Sequence, residues 1–159
     1  MSCKTIGIIG GGQLGMMMIE QAHILGAKTI CLDPSIDAPA FSISDEYICA
    51  SFDDFEALEK LCKSSSVVTY EFENVRSDYL IELENKYNIK QGFKPLFDSQ
   101  DRLREKNNAN FHNLKTARFF DIKSLEDVQS AINVLGFPCI YKTRTLGYDG
   151  HGQVVIKKN

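Results

Sequence analysis

The sequence predicts an α/β fold, in which a parallel sheet with helices on both faces is followed by the start of an α+β unit. Short apolar strand patterns alternate with helix patterns through residues 1–95, as they do in parallel sheets. Three consecutive glycines follow the first strand pattern, where a tight turn into a helix is expected. Residues 96–159 lack this alternation and show helix and hairpin patterns instead. We therefore expect two domains, 1–95 and 96–159.

Four strand patterns predict the sheet. Each is short and rich in apolar or β-branched residues, which is typical of a buried parallel strand. Glycine, proline or acidic residues follow closely and end the pattern. The predicted strands are residues 4–9, 28–33, 46–50 and 66–72.

Three helices are predicted between and after these strands. The first spans residues 13–25 and ends at Gly26, a typical C-terminal glycine. Its apolar residues at helical spacing are expected to face the core: Leu14, Met17, Met18, Ala22 and Leu25. The second begins after a cap at Asp53 or Asp54, and the third covers residues 77–87.

The second unit begins with a polar helix pattern over residues 98–114, followed by a short strand pattern at 118–122. A further helix opens with a capping box from Ser124 to Asp127 and ends at Gly136. Two strand patterns, residues 139–143 and 153–158, flank a loop rich in glycine. These patterns predict a β-hairpin at the end of the chain.

Composition narrows the class of protein. The 18 basic and 21 acidic residues give a net charge of -3, which provides no global attraction for nucleic acid or an anionic membrane. No apolar run is as long as a membrane span, and the N-terminus lacks a signal-peptide pattern. The five cysteines show neither a C-x-x-C pair nor zinc spacing. We expect a cytoplasmic protein with reduced thiols.

The glycine loop (residues 10–15, GGGQLG) fits the G-x-G-x-x-G pattern. Such a turn brings free backbone N–H groups and a helix N-terminus to an anion, usually a phosphate. Asp33 ends the second predicted strand, where dinucleotide sites place an acid on a ribose. A nicotinamide or flavin site and a turn that only packs a helix on a strand both fit this pattern.

A second glycine-rich loop lies in YKTRTLGYDGHGQ, residues 141–153. Strand alternation places Lys142 and Arg144 on one face, from which a lysine can neutralise phosphate oxygens. Three glycines allow the loop to close over a polyphosphate: Gly147, Gly150 and Gly152. Tyr148 and Asp149 at its tip are placed to reach a second substrate. An ordinary hairpin with a glycine turn is the alternative.

This last stretch resembles the phosphate-covering loop of ATP-grasp enzymes, in the form found in the N5-carboxyaminoimidazole ribonucleotide synthetase family. That family is also known as the ATPase subunit of phosphoribosylaminoimidazole carboxylase. Four other stretches agree with it in order and spacing: GIIGGGQLGMM, LDPSIDAPA, YEFENV and QDRLREK. The resemblance implies a Rossmann-like pre-ATP-grasp domain over residues 1–95 and the N-terminal part of an ATP-grasp domain over 96–159.

The resemblance also implies roles for individual residues. Arg102 and Lys142 would contact ATP, with Lys106 assisting. The glycine lid (residues 147–153) would cover the phosphates: Gly147, Tyr148, Asp149, Gly150, His151, Gly152 and Gln153. The ribonucleotide pocket would include Gly12, Gln13, Leu14, Glu73 and Asn74, although Glu73 and Asn74 also suit a helix cap. Tyr148, Asp149 and Arg144 would be catalytic.

The implied reaction is the ATP-dependent carboxylation of 5-aminoimidazole ribonucleotide with bicarbonate, in purine biosynthesis. Mg²⁺ would accompany ATP, and the enzyme would be a homodimer with no nucleic-acid or membrane partner. ATP-grasp enzymes take their magnesium ligands and adenine clamp from sequence beyond this lid, so we expect them after residue 159 and expect no catalysis by the 159 residues alone. An NAD-binding oxidoreductase module and a non-catalytic nucleotide-binding fragment are the alternatives.

Two residues of the second loop depart from the family pattern. His151 stands where the family usually has lysine or arginine. Histidine exchanges its proton near neutral pH, so we expect ATP binding to depend more steeply on pH than in a lysine enzyme. Leu146 replaces a usual glycine, which is expected to reduce the mobility of the lid.

Overall fold

The computed structural model describes residues 4–147 and 151–158. The chain divides into two compact units, with the division between Phe97 and Asp98. Within the described residues, no helix is both long enough and apolar enough to cross a membrane.

The first unit contains a four-stranded parallel sheet. Its strands are β1 (Thr5–Ile9), β2 (Lys28–Asp33), β3 (Glu46–Cys49) and β4 (Val67–Tyr70). All neighbouring strands are parallel, and their order is β3-β2-β1-β4. The predicted parallel sheet is confirmed.

Helices lie between the strands of the first unit and after its last strand. They are α1 (Gln13–Ile24), a 3-10 helix (Pro39–Ser42), α2 (Phe55–Ser64), α3 (Ser77–Glu84) and α4 (Lys94–Ser99). Asp54 caps α2, because its carboxylate accepts the Ala57 amide at 3.0 Å. The sequence patterns did not predict the 3-10 helix, and they extended α3 three residues too far, to Tyr87.

The sheet separates two apolar cores. Adjacent residues of a strand face opposite sides, so Ile8 and Cys31 pack in one cluster while Ile9 and Leu32 pack in the other. The first cluster includes Ile19 of α1, and the second includes residues of α2 and α3. Helices therefore cover both faces, as the strand–helix alternation predicts.

The buried face of α1 differs from the predicted one. Gly15, Ile19 and Ala22 are the buried residues of this helix. Four of the five residues expected in the core are exposed, by 37% to 82%: Leu14, Met17, Met18 and Leu25. The prediction was wrong because α1 has apolar residues on two faces, so spacing alone did not identify the buried one.

The strand order creates a switch point beside β1. The connection after β1 leads to β2 on one side, whereas β4 lies on the other. The loops that follow β1 and β4 therefore meet at the carboxyl edge of the sheet, and the Glu71 amide donates to the Ile9 carbonyl at 3.0 Å. Ligands of open α/β sheets bind at such a switch point.

The second unit contains α5 (Arg102–Phe111), α6 (Leu125–Leu135) and a hairpin of β5 (Cys139–Lys142) and β6 (Gln153–Ile156). The two strands pair in antiparallel register. The Ser124–Asp127 capping box is present at the start of α6, and Gly136 ends this helix with a φ of 77°. These elements agree with the sequence patterns.

Two predictions for the second unit were wrong. The polar helix expected over residues 98–114 is interrupted, because Asp101 caps a new helix by accepting the Leu103 amide at 2.9 Å. Residues 118–122 form no strand. Their side chains contact other elements instead: Lys106 lies over the Phe119 ring, and Arg118 donates to the Leu135 carbonyl at 3.4 Å. A short segment rich in aromatic residues forms a strand only where a partner strand is available.

Candidate functional site

The glycine loop lies at the switch point. Two of its backbone N–H groups donate to carboxylates of this chain. The Gly11 amide donates to Asp33 Oδ2 at 2.8 Å. The Gly12 amide, at the N-cap of α1, donates to Glu71 Oε1 at 3.2 Å. A dinucleotide site leaves such amides for the pyrophosphate. Here the amides of Gly11 and Gly12 already have anionic acceptors.

Close contacts explain why glycines occupy this loop. A Cβ on Gly15 would collide with the Gly10 carbonyl oxygen. A Cβ on Gly11 would lie 2.9 Å from the Cβ atoms of both Asp33 and Ala38. Gly10 has a φ of 107°, which other residues rarely adopt. The loop is therefore held in one tight conformation against β2 and the residues after it.

Neighbouring carboxylates at this edge oppose the ionisation of Glu71. Burial raises the pKa of Glu71, the Gly12 hydrogen bond lowers it, and the charges of Asp33 and Glu73 raise it further; the net shift is upward. Burial and the charges of Asp33 and Glu71 raise the pKa of the Cys31 thiol beneath the loop to about 12. The switch point thus concentrates negative charge, which favours hydrogen-bond donors over a second anion.

Five ligand contacts are predicted near this loop: Gly12, Gln13, Leu14, Glu73 and Asn74. Gln13 and Leu14 are exposed in the first turn of α1. Glu73 and Asn74 lie in the connection after β4, and the N-cap residue of α3 is Arg76. The sequence analysis missed Glu71 as a site residue, although it lies in YEFENV and directly follows a buried strand.

The hairpin of the second unit holds the residues that flank the glycine lid. Lys142 pairs with Gln153 at the ends of the two strands. The Thr143 amide donates to the Gly152 carbonyl at 2.8 Å and closes the base of the loop. Gly152 has a φ of 67°, and a Cβ there would collide with the Thr143 side chain. A Cβ on Gly147 would lie 3.0 Å from Thr143 Oγ1, so both glycines pack on this threonine.

Three cations expected near ATP have different surroundings. Arg102 donates from its guanidinium to the Gly147 carbonyl, at the start of the lid. Lys106 lies with its Nζ 5.5 Å from the centroid of the Phe119 ring. Lys142 is exposed at the end of β5. Tyr148, Asp149 and Gly150 of the lid lie outside the described residues.

Arg144 pairs with two carboxylates. Its Nη2 atom lies 2.6 Å from Asp101 Oδ2, and its Nη1 atom lies 3.9 Å from Asp121 Oδ1. Strand β5 ends at Lys142, so strand alternation does not set the orientation of Arg144. Among the described residues, no group of three or more His, Cys, Asp or Glu side chains is arranged to hold a metal ion.

Two known family models match this chain, and each covers one of the two glycine-rich loops. A model of the ribonucleotide synthetase preATP-grasp domain matches residues 3–100, and an ATP-grasp domain model matches residues 107–159. The chain belongs to the ribonucleotide synthetase preATP-grasp family. In this preATP-grasp domain, the candidate site of the first unit is the switch point, with the glycine loop whose amides donate to Asp33 and Glu71.

Relatives of this preATP-grasp chain include N5-carboxyaminoimidazole ribonucleotide synthase of Staphylococcus haemolyticus, 50% identical over 153 residues, which are 96% of this chain and 41% of the relative. The crystal structure of the Staphylococcus aureus synthetase complexed with ADP has a TM-score of 0.96 and 46% identity, covering 98% of this chain and 42% of that one. The Aspergillus clavatus synthase with ADP and 5-aminoimidazole ribonucleotide has a TM-score of 0.87 and 26% identity, covering 98% and 41%. The chain thus spans about two fifths of the length of these relatives.

Proposed function

We propose that this chain contributes the ribonucleotide pocket and the ATP lid of an ATP-grasp ligase, which carboxylates 5-aminoimidazole ribonucleotide with bicarbonate. The glycine loop supports this proposal best. Asp33 and Glu71 already accept hydrogen bonds from the two amides that a dinucleotide pyrophosphate would need. The ribose hydroxyls and the exocyclic amine of the ribonucleotide are donors that suit this edge, and we place its phosphate away from Asp33 and Glu71. Relatives solved with ADP and with the ribonucleotide support the same assignment.

The proposed residue roles follow the two loops. Gly12, Gln13, Leu14, Glu73 and Asn74 line the ribonucleotide pocket. Arg102 and Lys142 contact ATP, Lys106 assists, and the glycine lid covers the phosphates, with His151, Gly152 and Gln153 at its exit. Tyr148 and Asp149 reach the reacting groups from the tip of the lid. We propose the domain limits 1–95 and 96–159 for these two functions.

The proposed reaction has two steps. A bicarbonate oxygen attacks the γ-phosphorus of ATP, the bond to ADP breaks, and carboxyphosphate forms. The exocyclic amine of the ribonucleotide then attacks the carboxyl carbon, directly or after release of carbon dioxide, and phosphate and a proton leave. The lid excludes water, since carboxyphosphate hydrolyses readily. Lys142 and Arg102 offset the charge of the phosphates.

When bound with ATP, Mg²⁺ would supply positive charge that offsets the charge of the phosphates. The described residues offer it no acidic cluster, so we assign no step in this chain to the metal. The family resemblance also supports a homodimer of the whole protein, located in the cytoplasm and without a nucleic-acid partner. Sedimentation of the longest form of the protein tests the homodimer.

Release of ADP by the longest form of the protein tests the ligase proposal. ADP release should require both the ribonucleotide and bicarbonate. Lys142→Gln should raise the KM for ATP about tenfold, because one charge-assisted contact to phosphate is lost. Lys115→Gln, an exposed lysine outside the hairpin, is the matched control. ADP release that is independent of the ribonucleotide, or tight binding of NADH, would contradict the proposal.

A further inference from the structure

Asp101 joins the first turn of α5 to the segment that leads into the glycine lid. It is buried, with 6% of its surface exposed. Its Oδ1 atom accepts the backbone amides of Leu103 at 2.9 Å and Arg104 at 3.1 Å. Its Oδ2 atom accepts Nε of Arg144 at 3.1 Å and Nη2 at 2.6 Å. Oδ1 also accepts Nε of Arg144 at 3.3 Å, so Oδ1 both caps the helix and contacts the arginine, while Oδ2 binds the arginine alone.

Backbone contacts connect the same two segments. The Arg102 amide donates to the Arg144 carbonyl at 2.9 Å. The Arg102 guanidinium donates to the Gly147 carbonyl, three residues further along the loop. Two contacts therefore hold the segment that leads into the lid: Arg144 and Gly147 each accept a hydrogen bond from Arg102, in the first turn of α5.

The charge of Arg144 is balanced within this cluster. Asp101 lies at 2.6 Å and Asp121 at 3.9 Å, and Asp121 in turn lies 3.5 Å from Lys123 Nζ. An arginine held by a carboxylate through two nitrogens has its direction fixed, unlike a lysine. This geometry suits Arg144 for positioning the loop, while Arg102 and Lys142 remain the proposed phosphate contacts.

We propose that Asp101 and Arg144 are positioning residues that fix residues 144–147, the segment leading into the glycine lid, to the first turn of α5. This inference rests on the proposed function of the lid, and it replaces a direct catalytic role for Arg144. Asp101 acts through Arg144 and touches no substrate.

Asp101→Asn separates the two functions of the carboxylate. Asparagine caps a helix about as well as aspartate, so α5 should remain folded. The charge-assisted bonds from Arg144 to Oδ2 are lost. In the 159-residue chain, we expect the Arg102 amide, which binds the Arg144 carbonyl, to exchange with solvent about tenfold faster, as the loss of such bonds predicts. Amides in the middle of α5 should exchange as before.

Kinetics of the longest form distinguish positioning from chemistry. Asp101→Asn and Arg144→Gln should each raise the KM for ATP about fivefold to tenfold while kcat falls less than twofold, since a loosened lid weakens ATP binding. Arg144→Lys should restore part of the loss, because it keeps the charge but not the double contact. The control is Asp54→Asn, which removes the same charge from the cap of α2 and should leave the KM unchanged.

Two results would overturn the positioning role. One is unchanged exchange of the Arg102 amide in Asp101→Asn. The other is a large loss of kcat in Arg144→Lys at constant KM for ATP, which would indicate that Arg144 acts on the reacting groups. If the wild-type protein turns over no ATP, the proposed function fails instead, and the exchange measurement still decides whether the pair holds the loop.

Discussion

Glu71 Oε1 accepts the Gly12 amide at 3.2 Å, although 59 positions separate the two residues in the sequence. This contact places a carboxylate of the chain at the N-terminus of α1, where a Rossmann loop ordinarily receives a phosphate. Asp33 makes the equivalent contact with Gly11. The glycine pattern therefore specifies the shape of the turn, whereas the residues after β2 and β4 determine which ligands it can accept.

Glu71→Gln is expected to stabilise the first unit at pH 7. Burial and the charges of Asp33 and Glu73 raise the pKa of Glu71, so its ionisation costs folding free energy. Glutamine keeps an acceptor for the Gly12 amide and removes the charge. The stability that protonated Glu71 provides is present below the ordinary glutamate pKa and is lost as the pH rises through the raised one.

Denaturant unfolding of wild-type and Glu71→Gln protein between pH 4 and 8 measures this effect. The advantage of the variant should grow with pH across this range. Glu20→Gln, an exposed position on α1, should show no such trend. An advantage that is constant with pH would mean that the charge of Glu71 is not its cause.

Gly15→Ala is expected to lower the free energy of unfolding of the first unit by about 1–3 kcal/mol, the usual cost of overpacking. The added Cβ would collide with the Gly10 carbonyl oxygen, which belongs to the backbone and cannot turn aside. Gln21→Ala is the control, because it adds a good helix former at an exposed position of the same helix. Urea unfolding compares the two, and equal stabilities would show that α1 can shift away from the loop.

The sheet, the glycine loop after β1 and the hairpin of β5 and β6 could be predicted from local sequence. Residues 28–33 form a strand with the predicted bounds, because a short apolar run between a glycine turn and Pro34 leaves few alternatives. The capping box at Ser124 fixed the start of α6 in the same way. Such features depend on residues that are close together in the sequence.

The partners of the site residues could not be predicted in this way. Asp101 and Arg144 are 43 positions apart, and no periodicity relates them. The buried face of α1 also depends on tertiary packing, because Ile19 and Met18 are similarly apolar but only Ile19 faces the sheet. Glu71 was not predicted for the same reason, because its contact with the Gly12 amide forms only when the chain folds.

Asp45 should make the stability of the first unit depend on acidic pH. The Thr29 amide donates to Asp45 Oδ2 at 2.8 Å, and His23 Nε2 lies 3.0 Å from the same oxygen. These contacts lower the pKa of Asp45, the Thr29 amide being the largest cause. Stability from Asp45 is therefore present above the ordinary aspartate pKa and is lost as the pH falls through the lowered one.

Asp45→Ala should cost about 1 kcal/mol at pH 7, since buried Thr29 loses an acceptor for its amide. The difference from wild type should shrink as the pH falls from the ordinary aspartate pKa through the lowered one, because the wild-type carboxylate then becomes protonated. Unfolding curves from pH 2.5 to 7 measure both effects. Asp37→Ala, an exposed aspartate in the next loop, should show a constant difference.

Leu146→Gly is expected to stabilise the hairpin of the second unit. Leu146 has a φ of 56° and is 77% exposed, so it adopts a left-handed conformation without the benefit of burial. That conformation costs a residue with a Cβ about 1–2 kcal/mol, which glycine avoids. Glycine also makes the unfolded chain more flexible, and this offsets about 0.5–1 kcal/mol of the gain. A net gain of about 0.5–1 kcal/mol should remain.

Exchange of the Thr143 amide, which closes the hairpin by binding the Gly152 carbonyl, measures this gain locally. Leu146→Gly should slow that exchange about twofold to fivefold, the change that corresponds to this free energy. Leu146→Ala is the matched control: it removes the same exposed side chain but keeps a Cβ, so the backbone cost persists and the exchange rate should stay near that of wild type. If alanine slowed the exchange as much as glycine, the exposed leucine side chain rather than the left-handed backbone would be the source of the cost.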